Sequence, residues 1–271
     1  MKKIMVATDY SESANSAVRY GLSLANHFGS LLSLVSAVDE PYSASAGTLV
    51  DMKDKIRTEA MDTMGKVKTE LDGQLSNGAR VDTHTVDGDP GPTITRVAQA
   101  KHYDLLVTGT KGSDAAREMF TGSVANSVIE NSKLPVLVVP DSVGFREFRR
   151  ILVAVDTKKL AGAHVLEPLR AILRAYDAEL IVYHGDEDGD GVGYDPRLPE
   201  YLSDVRHRFE VRSGKDGSVA DGIQRAVKSH EADLLVMIYH DRGFFGRLFN
   251  SSTVSKVVFD SSVPMLVLQD A

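Results

Sequence analysis

One segment of the chain reads Gly109-Thr110-Lys111-Gly112, then nine residues, then Gly122-Ser123. Glycine lets backbone approach a bulky ligand closely, and a helix opening at Ser123 would present unpaired N–H groups at the positive end of its dipole. The chemistry such a loop suits is anion binding, with phosphate the foremost guest. The same residues also suit a tight turn at Gly109 and Gly112 and an N-cap at Ser123. The choice between these readings depends on what the surrounding elements bring to the loop.

Apolar residues Leu105 to Thr108 lead into Gly109 as a buried strand would, and Val124 to Asn131 continues as a helix. Upstream, Ile4 to Ala7 reads as a strand closed by Thr8-Asp9, and Ala14, Ala17, Val18, Gly21, Ala25 and Phe28 make one face of a helix. Leu31 to Val38 is the next strand. Ile56, Ala60, Met64, Val67 and Leu71 then recur at helical spacing, followed by a strand near Arg80 to Val86, a helix around Thr93 to Ala100 and a closing strand Val136 to Val139. Five strands with helical crossovers imply a parallel sheet covered on both faces. In a doubly wound order, ligands bind beyond the carboxyl ends of the strands where the order reverses. Asp9 and Gly109 would then face one another across a single crevice.

The second half of the chain repeats the first. DLLVTGTKGSDAAREMFTGSVANSVIENSKLPVLVV from Asp104 aligns without a gap to DLLVMIYHDRGFFGRLFNSSTVSKVVFDSSVPMLVL from Asp233, and Lys3 to Asp9 is answered by Arg150 to Asp156. Two homologous units of about 130 residues follow, the second shortened in its middle, where Tyr194 to Arg206 replaces the long helix. The expected division is 1–140, a linker over 141–149, and 150–271. Every motif glycine is lost from the second copy: Ile238, Asp241 and Ser251 stand in its place. A branched side chain and a carboxylate disfavour a triphosphate there. Asp156 and Ser252 survive, which leaves room for a remnant cleft or an uncharged ligand.

Gly109, Gly112, Gly122 and Ser123 match in identity and spacing the nucleotide motif G-x2-G-x9-G-[S/T], and Ala7-Thr8-Asp9-Tyr10-Ser11 matches a second hallmark. With the repeat, the sequence resembles the universal stress protein family in its tandem form. The resemblance implies two tandem doubly wound five-stranded parallel-sheet domains, Rossmann-like and of the adenine nucleotide alpha hydrolase type. It implies a regulatory ATP binder without established turnover, so at most slow hydrolysis is expected. By the same resemblance Thr8, Asp9 and Ala37 would hold adenine and ribose. Thr108, Gly109, Lys111, Gly112, Gly122 and Ser123, with backbone through Val124 and Ala125, would wrap the phosphates of ATP, ADP or AMP, with or without Mg. Lys111 stands where the family often has His or Arg, and Ala125 replaces a hydroxyl residue. The resemblance further implies pairing of final strands, here Val136 to Val139 with Met265 to Leu268, as an internal pseudo-dimer, with a homodimer as a further possibility. The alternative is a nucleotide-independent scaffold, bound to an unidentified protein partner, with a relic glycine loop. Phe244, Phe245, Leu248 and Phe249 are either such an interaction patch or packing beneath the loop.

Composition narrows the field. A formal charge of −7 argues against nucleic acid and acidic membranes as partners, since phosphate-backbone affinity needs clustered Lys and Arg. The short basic cluster Arg146 to Arg150 reads as a solvated connector. With no cysteine there is no disulfide framework or thiolate catalysis. No apolar run reaches the length of a membrane span, and Met1-Lys2-Lys3 passes at once into the first strand, so a cytoplasmic location is expected. Walker, GxGxxG, GxSxG and HExxH patterns are absent, and no metal site is expected. Asp186 to Gly191 fits the first positions of a calcium loop but fails at Arg197, where a bidentate Glu is needed, so the Asp186 to Asp190 loop reads as solvated and acidic.

Overall fold

The computed structural model describes residues 1–38, 46–110, 123–141, 143–186, 193–213, 219–240 and 262–270. They form two compact units, Met1–Leu134 and Pro135–Ala271. Both are α/β, built on mostly parallel sheets.

In the first unit the strands are β1 (Lys3–Ala7), β2 (Leu31–Val38), β3 (Arg80–Asp87) and β4 (Leu105–Gly109), in the order β3-β2-β1-β4. All neighbouring pairs run parallel. The central strands β1, beyond Lys3, and β4 are buried on both faces, as their apolar runs require, whereas β3 is largely half-exposed. The helices are α1 (Glu12–Phe28), α2 (Ala46–Asp72), α3 (Pro90–Ala100) and α4 (Ser123–Asn131). Ser11 caps α1 by accepting from Ala14 N, and Gly29 ends it at φ 63, the left-handed conformation glycine adopts without strain. Gly21 is where α1 meets the sheet: a Cβ there would stand 2.5 Å from Val6 Cγ2. Ala60, Met64 and Leu71 of α2 are buried as their spacing predicts, whereas Ile56 at the same period is 37% exposed.

The second unit contains β5 (Val136–Val139), β6 (Arg150–Val155), β7 (Glu179–Asp186), β8 (His207–Ser213), β9 (Leu234–Tyr239) and β10 (Met265–Gln269), in the order β5-β10-β9-β6-β7-β8. Around them lie α5 (Glu167–Tyr176), the single-turn α6 (Leu198–Tyr201) and α7 (Val219–Ser229). The doubly wound class is as expected, with one refinement. β5, the fifth strand of the first repeat, belongs to the second compact unit and pairs antiparallel with β10, Leu137 opposite Leu266. Its four residues are fully buried, which drives the pairing through apolar contact on both faces.

The duplication is visible at the level of single hydrogen bonds. Asp104 Oδ2 accepts from Lys2 N and Lys3 N at 2.5 and 3.0 Å, and Asp233 Oδ2 accepts from Arg149 N and Arg150 N at 2.9 and 3.0 Å. Each carboxylate satisfies the amides that open the first strand of its repeat. Arg146 and Arg149 are exposed, in keeping with a solvated connector, but Phe148 between them is buried. It meets the Tyr176 ring edge-on at 5.0 Å, so this end of the expected linker is anchored in the second unit's core.

The shortened middle of the second repeat is held by a polar knot rather than a long helix. Asp195, 1% exposed, accepts from Leu160 N at 2.9 Å and pairs with Arg197 Nη2 at 2.7 Å, and that same Nη2 donates to Leu160 O at 2.6 Å. The hydrogen bond from the Arg197 side chain, helped by backbone donors, holds the Asp195 carboxyl down at about 2 against the opposing effect of burial. Because the folded-state value lies below the ordinary 3.8, the stabilisation is present above that range and is lost as pH falls from about 4 to about 2. Asp195→Asn is expected to be less stable than the parent at neutral pH, with the gap in melting temperature closing across that acid window. A gap that stays constant down to pH 2 would contradict this.

Candidate functional site

The first unit's strand order reverses between β1 and β4. The register Ile4↔Leu105, Met5↔Leu106, Val6↔Val107 runs the two strands side by side to a common carboxyl end. Asp9 lies just beyond β1 and Gly109 closes β4, so the two expected site residues reach the same end of adjacent parallel strands.

The turn after β1 is fixed by its own hydrogen bonds. Thr8 is buried; its N–H donates to Val35 O at 3.0 Å and its Oγ1 accepts from Tyr10 N at 3.2 Å. Asp9 Oδ1 accepts from Ser11 N at 3.0 Å, an Asx turn that leads into the α1 cap, and Asp9 itself is exposed. Between them Tyr10 adopts φ 64, a left-handed conformation that costs free energy for a side chain of this size. Its hydroxyl donates to Ala60 O of α2 at 3.0 Å, which ties the turn to the long helix. Burial raises the Tyr10 phenol above its ordinary value, so it stays a donor. A tyrosine between an acid and a cap residue gives no sign of positive φ in the sequence.

Ala37 lies half-buried near the end of β2, and Thr108 is buried at the end of β4, its hydroxyl donating to Gly109 O at 3.3 Å. α4 starts at Ser123, so the N–H groups of Ser123, Val124 and Ala125 have no partner within the helix. Val124 is half-buried and Ala125 is 1% exposed, so at Ala125 only backbone is available to a ligand. Helix α4 is held against α3 at Gly91, where a Cβ would come within 2.5 Å of Ser127 Cβ. Lys111, Gly112 and Gly122 lie outside the described residues, as does the Ser123 side chain.

In the second unit Ile238, which replaces Gly109, is part of β9 and buried. Asp156 follows β6 as Asp9 follows β1, and its side chain is 91% buried where Asp9 is exposed. Asp241, Phe244, Phe245, Leu248, Phe249, Ser251 and Ser252 lie outside the described residues, as does 187–192, most of the acidic loop after Asp186. Ile181, Val182 and Tyr183 are in β7, a strand in a place where a calcium hand needs a helix.

The universal stress protein family model matches residues 1–140 and again 147–269. The chain belongs to the universal stress protein family. About half of it is similar to a universal stress protein of Methanocaldococcus jannaschii, 30% identical over 141 residues, covering 51% of this chain and 81% of the relative. A universal stress protein of Mycolicibacterium smegmatis is 22% identical over 295 residues, covering 98% and 96%. Among solved structures, a universal stress protein from Archaeoglobus fulgidus covers 99% of this chain and 96% of its own, with a TM-score of 0.76 at 21% identity, which establishes likeness of fold. Among the described residues of this universal stress protein no helix is long and apolar enough to cross a membrane.

Proposed function

We propose that this universal stress protein binds one adenine nucleotide, ATP in the first instance, in the crevice of its first unit, and that binding serves regulation rather than turnover. The observation that carries the reading is the convergence of Asp9 and Gly109 at the carboxyl ends of adjacent parallel strands, at the reversal of strand order. The start of α4 directly after Gly122 supports it, because unpaired N–H groups there suit phosphate. Asp9, exposed and oriented by its Asx turn, offers a carboxylate to ribose hydroxyls or the adenine amine. The second unit lacks the glycines, and buried Ile238 occupies the position of Gly109. Hence the reading is one nucleotide per chain, with the second unit given to another role.

Calorimetry with millimolar Mg-ATP on the full chain should give one binding event per chain, and mass spectrometry of the denatured protein should detect adenine nucleotide released from it. No heat and no nucleotide would refute the reading; two events per chain would refute its asymmetry.

A further inference from the structure

We infer that the second unit carries a binding site for a divalent transition-metal cation, held between the Asp156 carboxylate and His240 Nε2 with Asp270 behind the imidazole. The three residues are far apart in sequence, yet each directly follows a strand: β6, β9 and β10. The sheet order β10-β9-β6 places those strand ends side by side. All three side chains are at least 91% buried.

The imidazole is oriented from one side. Asp270 Oδ2 lies 2.9 Å from His240 Nδ1, and Asp270 Oδ1 accepts from Ala161 N at 3.0 Å, so both carboxylate oxygens are engaged. A carboxylate on one ring nitrogen assigns the proton of neutral histidine to that nitrogen and leaves a lone pair on the other. His240 Nε2 lies 3.7 Å from Asp156 Oδ1, too far for a hydrogen bond. That oxygen already accepts from Lys158 N at 2.9 Å. The second oxygen, Asp156 Oδ2, is buried and has no hydrogen-bond partner. A buried carboxylate oxygen left unpaired is costly. An imidazole lone pair 3.7 Å from the other oxygen of the same carboxylate adds repulsion, and a cation bound by carboxylate and imidazole together relieves both.

The chemistry selects the class of cation. Imidazole nitrogen with carboxylate oxygen suits zinc, nickel and cobalt, whereas magnesium and calcium prefer shells of oxygen alone. A ligating histidine whose other nitrogen is held by a carboxylate is the recurring support of zinc sites. Two ligand atoms bound at about 2.0–2.1 Å to a tetrahedral ion stand roughly 3.4 Å apart, so closing the 3.7 Å gap needs only a small shift. Among the described residues no three His, Cys, Asp or Glu side chains form a metal cage. Water would therefore complete the shell, which leaves coordination positions open to a further ligand.

The test is calorimetry and thermal melting of the full chain, free of nucleotide, with zinc, and cobalt absorption as a spectroscopic check. The expected result is one zinc per chain, a melting temperature raised by zinc and restored by chelator, no effect of magnesium, and a visible cobalt band. Asp156→Asn and His240→Gln should each weaken zinc by about 100-fold or more and erase the band. Asp270→Asn should weaken it by about 10–100-fold, as loss of an outer carboxylate does. A parent that binds no zinc would overturn the inference and leave the cluster as contacts between His240 and its two carboxylates. Zinc binding equal to the parent's in folded Asp270→Asn and His240→Gln would overturn it too, by assigning the metal to surface histidines. Since no nucleotide is present, either result is independent of ATP binding by the first unit.

Discussion

Phe148→Ala is expected to cost about 3–5 kcal/mol of stability, the range for truncating a fully buried phenylalanine. Phe148 is 1% exposed and sits edge-on to Tyr176 at 5.0 Å and to Phe145 at 6.1 Å. Removing the ring withdraws apolar area from the core and leaves a cavity that surrounding atoms fill only in part. Tyr176 is the neighbour most affected: burial, reinforced by the nearby Glu147, pushes its phenol above the ordinary range, as suits a hydroxyl in a dry setting. The measurement is chemical denaturation of the full chain, read at the transition of the second unit. Exposed Arg149→Ala, one residue along, should change the midpoint little. A Phe148→Ala loss below about 1 kcal/mol would mean that the segment before β6 is a linker after all and not part of the core.

The second large effect concerns Gly122. A valine there should reduce ATP affinity by about 100-fold or more, equivalent to roughly 2.7 kcal/mol. Gly122 immediately precedes Ser123, the first residue of α4, whose N–H groups are the proposed phosphate donors. A branched side chain at that step would stand where backbone must approach the phosphates. The aligned change in the second repeat, Ser251→Val, should leave nucleotide affinity unchanged because that copy lacks the other glycines. Equal calorimetric isotherms for Gly122→Val and the parent would reject the glycine loop as the phosphate site. If the variant also loses helicity, Asp9→Ala provides the second reading. It lies on the exposed turn after β1 and should weaken binding about tenfold, at a stability cost of about 1 kcal/mol from the lost Asx-turn hydrogen bond to Ser11 N.

Much of the architecture was legible because the signals were periodic. Unbroken apolar runs at Ile4 and Leu105 could only be strands buried on both faces, and the gapless alignment from Asp104 to Asp233 carried the same reading into the second half. The fold brings Asp9 and Gly109 to the carboxyl ends of adjacent parallel strands. Other features left no local trace. Phe148 is a lone apolar residue among arginines, and only its ring contact reveals that it is core. Tyr10 combines a left-handed backbone with a hydrogen bond to Ala60, fifty positions away, and neither shows in its neighbours' sequence. The Asp156, His240 and Asp270 cluster is assembled by strand order from three distant segments, so scattered histidines gave no spacing to read. A faint signal did exist. His240 aligns with Lys111, and acids follow both the first and last strands of its repeat.

The antiparallel ladder between β5 and β10 bears on how a doubled gene persists. β10 presents Met265 to Leu268, all fully buried, and β5 is what seals that flank. A cut between Pro140 and Arg150 would strip the later half of a strand encoded by the earlier one and uncover an apolar sheet edge, a template for promiscuous pairing. The two repeats are therefore tied together by a shared ladder. The second copy, though its motif glycines are gone, still completes its sheet with a strand borrowed from the first.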